Sequence, residues 1–171
     1  MTDGSRAGEP FELYLLRHAD AGDPMAWDGP DEERPLSRKG RRQAERMGAF
    51  LAGLGFEVDV LVTSPKARAR ETADIVGAAL DRPVATDDRL AQGLEVDVEM
   101  LRAIVAGFPD ARRLLLVGHD PEFSDLVETL TGAAAPLKKG ALARLDVLYD
   151  LAPGGVVLRW LIPPELLRQE R

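Results

Sequence analysis

Short apolar runs alternate along the chain with segments of helical periodicity, and this alternation constrains the fold more than any other sequence feature. The apolar runs cover residues 13–16, 58–62, 83–86 and 114–117. Strands separated by helices are typical of a mainly parallel sheet with helices on both faces. We therefore expect an α/β fold, built as one three-layer domain around a mainly parallel central sheet.

The helices between the strands are predicted from apolar residues at spacings of three and four. The first is predicted over residues 38–52, with the hydroxyl of Ser37 as its cap. Two more follow the second and third strands. The last opens at Asp120-Pro121, where a carboxylate can cap the helix and a proline fits its first turn.

The two ends of the chain differ in character from its middle. Strand-like runs at residues 142–149 and 156–162 flank Ala152-Pro153-Gly154-Gly155, which predicts a C-terminal antiparallel hairpin. Residues 163–171 are expected to form a short helix. Residues 1–10 are small, polar and charged, so we expect a flexible N-terminal tail there and a single domain over residues 11–171.

Composition excludes several classes of function. A net charge of -7 argues against general affinity for nucleic acid or for an anionic membrane. The absence of cysteine excludes disulfides and thiolate metal sites. The chain shows neither a signal-peptide pattern nor the roughly 18 apolar residues of a membrane span, so a cytoplasmic location is the default expectation.

The only two histidines of the chain follow predicted strands. Arg17 and His18 end the first strand, and His119 comes just after the fourth. The carboxyl ends of parallel strands meet at one edge of a sheet, where ligands of α/β proteins bind. We expect both imidazoles in one cleft, although a histidine at this position could also merely cap a loop.

The second strand and the helix after it add a hydroxyl and cations to this edge. Ser64 follows the strand, and Lys66, Arg68 and Arg70 come next. Imidazoles, guanidiniums and a helix N-terminus together suit the oxygens of a phosphoryl group. Arg70 would face about 200° around the helix from Arg68, so we leave it out of the site.

Three motifs, each at a strand end, resemble the signature of the histidine phosphatase superfamily, also called phosphoglycerate-mutase-like. They are Arg17-His18, then Thr63-Ser64-Pro65 with Arg68-Ala69 and Glu71-Thr72-Ala73, then Gly118-His119. The short length, Arg34-Pro35-Leu36-Ser37 with Gly40, and Val117-Gly118-His119-Asp120-Pro121 are more narrowly similar to SixA-type phosphohistidine phosphatases. The resemblance runs from about Leu13 to the C-terminal tail.

This resemblance implies a phosphatase in which His18 attacks phosphorus and becomes a phosphohistidine intermediate that water hydrolyses. Arg17, Arg68 and His119 would form the phosphate pocket, and Ser64 is a further candidate donor. The resemblance implies neither a metal nor another cofactor. A neutral imidazole is nucleophilic, and neighbouring arginines disfavour its protonated form.

The chain differs from the larger members of the superfamily in the segment that carries their general acid. Those members carry a carboxylic acid in an insertion after the third strand, whereas residues 89–99 are too short to match it. Glu95 is a nearby carboxylate whose placement the sequence does not fix. Phosphohistidine can accept a proton on its free ring nitrogen, so a site without an acid should favour N–P bonds or otherwise activated phosphates. The expected substrate is a phosphorylated histidine-containing protein.

Three alternatives stay open at this point. The first is a phosphomonoesterase that acts on a small phosphorylated molecule, and the second is a catalytically silent phosphoprotein-binding module. The third is a metal-dependent hydrolase that uses His18, Asp20 and His119 as ligands.

A basic stretch near the start of the first helix also has two interpretations. Arg38, Lys39, Arg41 and Arg42 oppose the dipole of the helix that they begin. They form either a solvated basic face or a docking surface for an acidic phosphoprotein.

Overall fold

A computed structural model describes residues 9–91, 93 and 96–167 of the chain. Residues 1–8 of the predicted tail, the acid candidate Glu95 and the last four residues of the predicted terminal helix lie outside the described residues. The division into a tail over residues 1–10 and one domain over residues 11–171 stays a prediction.

In the described residues, six strands form one sheet in the order β3-β2-β4-β1-β5-β6. Neighbours among the first four are parallel, and β5 and β6 are antiparallel additions next to β1. The predicted mainly parallel sheet with a C-terminal hairpin is therefore confirmed. The strands are β1 (Phe11–Arg17), β2 (Val60–Thr63), β3 (Val84–Thr86), β4 (Arg113–Gly118), β5 (Leu142–Val147) and β6 (Val156–Ile162).

Within the part of the chain that the structure describes, four α-helices cover the two faces of this sheet. They are α1 (Arg38–Gly53), α2 (Ala67–Leu80), α3 (Val98–Ala106) and α4 (Glu122–Thr131). None of the helices in the described part of the chain is long and apolar enough to cross a membrane.

Buried side chains alternate between the two faces of the sheet along the central strands, and this divides the core into two layers. Leu13 and Leu15 of β1 pack in the cluster that contains the buried residues of α3 and α4. Tyr14 and Leu16 pack in the other cluster, with the buried residues of α1 and α2. Successive side chains of a strand point to opposite faces, so the three-layer expectation is confirmed.

Several predicted boundaries move by one or two residues. β2 begins at Val60 rather than Val58, because Asp59 turns its carboxylate back to accept the backbone N–H groups of Arg112 and Arg113. Pro121 is the N-cap of α4 rather than a residue of its first turn. The predicted terminal helix is a 3-10 turn over Pro164–Leu167 in the described residues.

Candidate active site

The carboxyl ends of β1, β4 and β2 meet at one edge of the sheet and place the predicted residues together. His18 follows β1 and His119 follows β4, and their ring centroids lie 5.2 Å apart. His18 is 5% exposed and His119 is 1% exposed. The prediction that the two histidines share one cleft is confirmed by this distance.

His18 is held in a defined tautomer by the backbone. Its Nδ1 lies 2.7 Å from the carbonyl oxygen of Ala19. A carbonyl only accepts, so Nδ1 carries the hydrogen and donates it. Nε2 consequently carries the lone pair, which is the electronic state that an attacking nitrogen needs.

His119 is oriented by Ser64 at the end of β2. The Nε2 of His119 lies 2.7 Å from the hydroxyl oxygen of Ser64. That oxygen also accepts the backbone N–H of Lys66. When the Ser64 hydroxyl donates to Nε2, Nδ1 of His119 carries the ring hydrogen and is a donor.

Two cationic side chains complete the cluster. Arg17 donates from Nη1 to the carbonyl of Leu137 at 2.7 Å and lies 3.6 Å from the carboxylate of Asp120. Arg68 is buried at the start of α2, with 1% of its side chain exposed. Nε of Arg17 and Nδ1 of His119 are buried and have no hydrogen-bond partner among the described residues. Buried donors usually have a hydrogen-bond partner, and these two are placed to donate to one in the cleft.

The loop between β1 and α1 supplies a carboxylate that the sequence analysis did not identify. Asp31 accepts from Nη2 of Arg68 at 3.0 Å, and its backbone carbonyl accepts from Nη1 at 2.8 Å. Arg34, itself buried, donates from Nε to the other oxygen of Asp31 and from Nη1 to the carbonyl of Ala21. The loop is therefore fastened across the guanidinium of Arg68.

The motif around Glu71 and Thr72 fastens other parts of the same loop to α2. The hydroxyl of Thr72 accepts the N–H of Ala19 and donates to the carbonyl of Arg68. A carboxylate oxygen of Glu71 accepts from Leu36 N–H and from Arg41. These residues hold the site together without being part of the cleft.

Asp20, a ligand in the metal alternative, is engaged elsewhere. Its carboxylate accepts from the hydroxyl of Ser37 at 2.6 Å and lies 3.4 Å from Nζ of Lys139. Its backbone carbonyl explains the glycine that accompanies Arg34-Pro35-Leu36-Ser37, because a Cβ at Gly40 would lie 1.9 Å from that oxygen. No group of three histidine, cysteine or carboxylate side chains that could hold a metal ion occurs in the described part of the chain.

Asp120 serves the start of α4, as its position predicts. Its carboxylate accepts the backbone N–H of Ser124 at 3.1 Å and the Ser124 hydroxyl at 2.6 Å. It also faces Arg17. Asp120 therefore lies one residue before the N-cap, accepts a backbone N–H of the first turn of α4, and neighbours the phosphate-pocket candidates.

Burial and surrounding cations keep both histidines neutral. The pKa of His18 is lowered to about 3, mainly by burial and to a smaller extent by Arg68, Arg17 and Lys139. The hydrogen bond to the Ala19 carbonyl acts in the opposite direction. Burial, then His18 and Arg68, lower the pKa of His119 to about 2. Partial burial of Asp31 opposes its ionisation, but the hydrogen bond from Arg34 and the charge of Arg68 lower the pKa of that carboxyl. The cleft thus holds neutral imidazoles beside two guanidiniums.

Acid is expected to destabilise the fold through these histidines. Between the ordinary histidine pKa of 6.5 and the lowered values, the unfolded chain binds more protons than the folded one, so stability falls as pH falls. At pH 5 the loss relative to pH 7 is of the order of 2 kcal/mol for each histidine. Urea unfolding at the two pH values measures it.

The chain has only two histidines, so this pH window reports on them with little interference from carboxylates. In the His119→Gln variant, the free energy of unfolding is expected to show about half of the wild-type pH dependence. Equal stability of the wild type at pH 5 and pH 7 would contradict the lowered pKa values.

Paired imidazoles and guanidiniums at the carboxyl edge of an α/β sheet define the class of proteins that bind and transfer phosphoryl groups. The family model of the histidine phosphatase superfamily (branch 1) matches residues 13–120. An uncharacterized protein of Picosynechococcus sp. (strain PCC 7002) is 34% identical over 145 residues, which cover 79% of this chain and 84% of that protein.

Phosphohistidine phosphatase SixA of Escherichia coli (strain K12) is 25% identical, over 90% of this chain and 94% of its own length. The solved structure of the protein histidine phosphatase SixA complexed with tungstate matches with a TM-score of 0.78 and 25% identity, over 92% of this chain and all of that chain. The chain belongs to the histidine phosphatase superfamily and is of the SixA type. It is a phosphatase, a hydrolase of phosphate groups.

Proposed function

We propose that this phosphatase removes the phosphoryl group from phosphohistidine in proteins, with His18 as the nucleophile. The observation that carries the mechanism is the 2.7 Å hydrogen bond from Nδ1 of His18 to the Ala19 carbonyl, which leaves the lone pair on Nε2. Nε2 attacks phosphorus while the N–P bond of the substrate breaks. Water then attacks the phosphorylated His18, which releases inorganic phosphate and restores the imidazole.

Arg17, Arg68 and His119 are proposed to hold the oxygens of the transferred group. The buried donors on Arg17 and His119 are suited to this role. Arg68 would exchange its contact with Asp31 for the phosphoryl oxygens. Ser64 is a candidate donor to phosphate, and its 2.7 Å contact with Nε2 of His119 favours a positioning role, because it orients that ring.

The absence of an available acid in the described cleft supports an N–P substrate. Asp31 is held as a carboxylate by two arginines, so it is a poor proton donor. An alkoxide leaving group needs a proton from the enzyme, whereas the leaving imidazole of phosphohistidine can be protonated on its other nitrogen before the bond breaks. Phosphohistidine is therefore the substrate class that this site suits best.

A comparison of leaving groups tests the proposal. We expect kcat/KM for a phosphohistidine peptide to exceed that for a simple alkyl phosphate by at least about 10²-fold, the usual contribution of one general acid. Rates on a series of phosphate esters should fall steeply as the leaving group becomes more basic.

The same assay is run in excess chelator, because the proposed mechanism uses no metal. A preference for a small phosphate ester over the peptide would assign the chain to small-molecule phosphomonoesters instead. A flat leaving-group profile would reveal a working general acid. Loss of turnover in chelator would contradict metal independence and revive the alternative that uses His18, Asp20 and His119.

A further inference from the structure

A groove of about 800 Å³ opens beside the candidate active site. It lies between α1, the segment that precedes β5 and the turn over Pro164–Leu167. Its charged side chains are six cations and two carboxylates, which are Arg17, Lys39, Arg42, Arg46, Lys138 and Lys139 with Asp20 and Glu165. We call this surface the basic groove. Its positive charge contrasts with the net charge of -7 of the whole chain.

The α1 wall of the basic groove is an ordered row of cations. Lys39, Arg42 and Arg46 recur at spacings of three and four, so they share one side of α1 and span about 10 Å along its axis. None of the three forms a salt bridge with a residue that the structure describes. Arg41 instead pairs with Glu71 at 2.9 Å, outside the basic groove.

The positions of these cations are unfavourable for the helix itself. α1 has no acidic residue in its first turn, while Lys39 and Arg42 place positive charge near the positive end of the helix dipole. Helix stability therefore does not account for this charge, whereas an anionic ligand in the basic groove would offset it.

The basic groove shares Arg17 with the proposed phosphate pocket. Arg17 lines it and directly precedes His18. Lys139 lines it too, pairs with Asp20 and lies near enough to contribute to the lowered pKa of His18. A substrate whose phosphoryl group reaches His18 can therefore extend into the basic groove.

We propose that the basic groove binds an acidic segment of the substrate protein that flanks its phosphohistidine, an inference that rests on the proposed function. The row of cations along α1 suits carboxylates distributed along a peptide. Small-molecule sites are mostly apolar and largely enclosed, whereas this groove is open and walled by charged side chains. Several weak pairs at its rim would act mainly by speeding and orienting encounter.

Two synthetic peptides test this proposal directly. Each carries a single phosphohistidine, flanked by glutamates in one and by glutamines in the other, and free phosphohistidine is the reference for every enzyme. At low ionic strength we expect the glutamate peptide to have a kcat/KM about 10-fold above that of the glutamine peptide. This preference should shrink in high salt, which screens exposed charges.

Charge reversal on α1 provides the matched variant. The Arg42→Glu/Arg46→Glu protein is expected to lose the preference or to favour the glutamine peptide, because the row then repels carboxylates. Arg82→Glu is the control, since Arg82 is exposed and precedes β3, at the edge of the sheet opposite to the site. It should keep the wild-type preference.

The outcomes separate this proposal from the proposed function. Equal rates on the two peptides in the wild type, or an unchanged preference in the double variant, would overturn the proposed role of the groove alone. Failure to hydrolyse free phosphohistidine and both peptides would overturn the proposed function. A preference for a small bisphosphate over its monophosphate, lost in the double variant, would assign the groove to a second phosphate and overturn the peptide proposal.

Discussion

Replacing His18 with alanine is expected to lower turnover by about 10⁴-fold and to abolish any covalent phosphate on the protein. The reason is that Nε2 is the proposed attacking atom, and the hydrogen bond from Nδ1 to the Ala19 carbonyl leaves its lone pair open. Rapid acid-free quenching with a labelled phosphohistidine peptide, followed by peptide mapping, locates the phosphate.

His119→Gln is the comparison for this experiment, because it alters the proposed pocket but keeps His18. It should still form the covalent phosphate, only more slowly. A covalent phosphate that persists in His18→Ala would place the nucleophile elsewhere. Absence of both turnover and a covalent phosphate in the wild type would favour the silent phosphoprotein-binding module.

Replacing Arg68 with glutamine is expected to lower kcat/KM by about 10²- to 10³-fold, the usual effect of removing one preorganised donor from a transition state. Arg68 is buried at the floor of the cleft, so its charge acts with little screening by water. Steady-state kinetics on the phosphohistidine peptide measures the loss, and inhibition by inorganic phosphate should weaken as well.

Arg70 on the same helix supplies a matched control. It is exposed, and the sequence already places it outside the site. Arg70→Gln should change kcat/KM by less than about twofold, as exposed charges usually do. Equal losses in the two variants would mean that general positive charge, rather than a directed guanidinium, stabilises the transition state. Thermal unfolding of both variants checks that each is folded.

The central part of the fold could be predicted because its signals are local. Two apolar runs identify β1 and β4. The residues at their ends, Arg17-His18 and Gly118-His119, identify the chemistry of the site. In parallel strands the ends must meet at one edge, so two positions in the sequence predict one cleft in space. The buried faces of α1 and α2 follow from spacing in the same way.

Asp31 could not be predicted, because its role depends on the path of a loop. Residues 19–35 are rich in proline, glycine and acidic residues, and composition does not reveal which carboxylate turns inward. The path is set by Arg34, which binds both Asp31 and the Ala21 carbonyl. Those contacts exist only after the loop has folded back on α2.

Lys139 was missed for a topological reason. The hairpin of β5 and β6 was predicted, but its pairing with β1 was not. β5 runs antiparallel to β1, with Leu142 opposite Leu16, so the start of β5 lies at the catalytic edge. The residues just before β5 therefore approach the same cleft as the residues that follow the parallel strands β1 and β4. Lys138 and Lys139 could have been assigned to this cleft only if the register between β1 and β5 had been known.

The contact between Asp31 and Arg68 would act as an internal competitor in the proposed phosphate pocket. Substrate and product phosphate would both compete with the Asp31 carboxylate for Nη2 of Arg68. Because this competition would weaken the binding of both by a similar amount, it would raise KM and reduce inhibition by free phosphate together. A carboxylate held in the loop would thus make the enzyme less easily saturated by its own product.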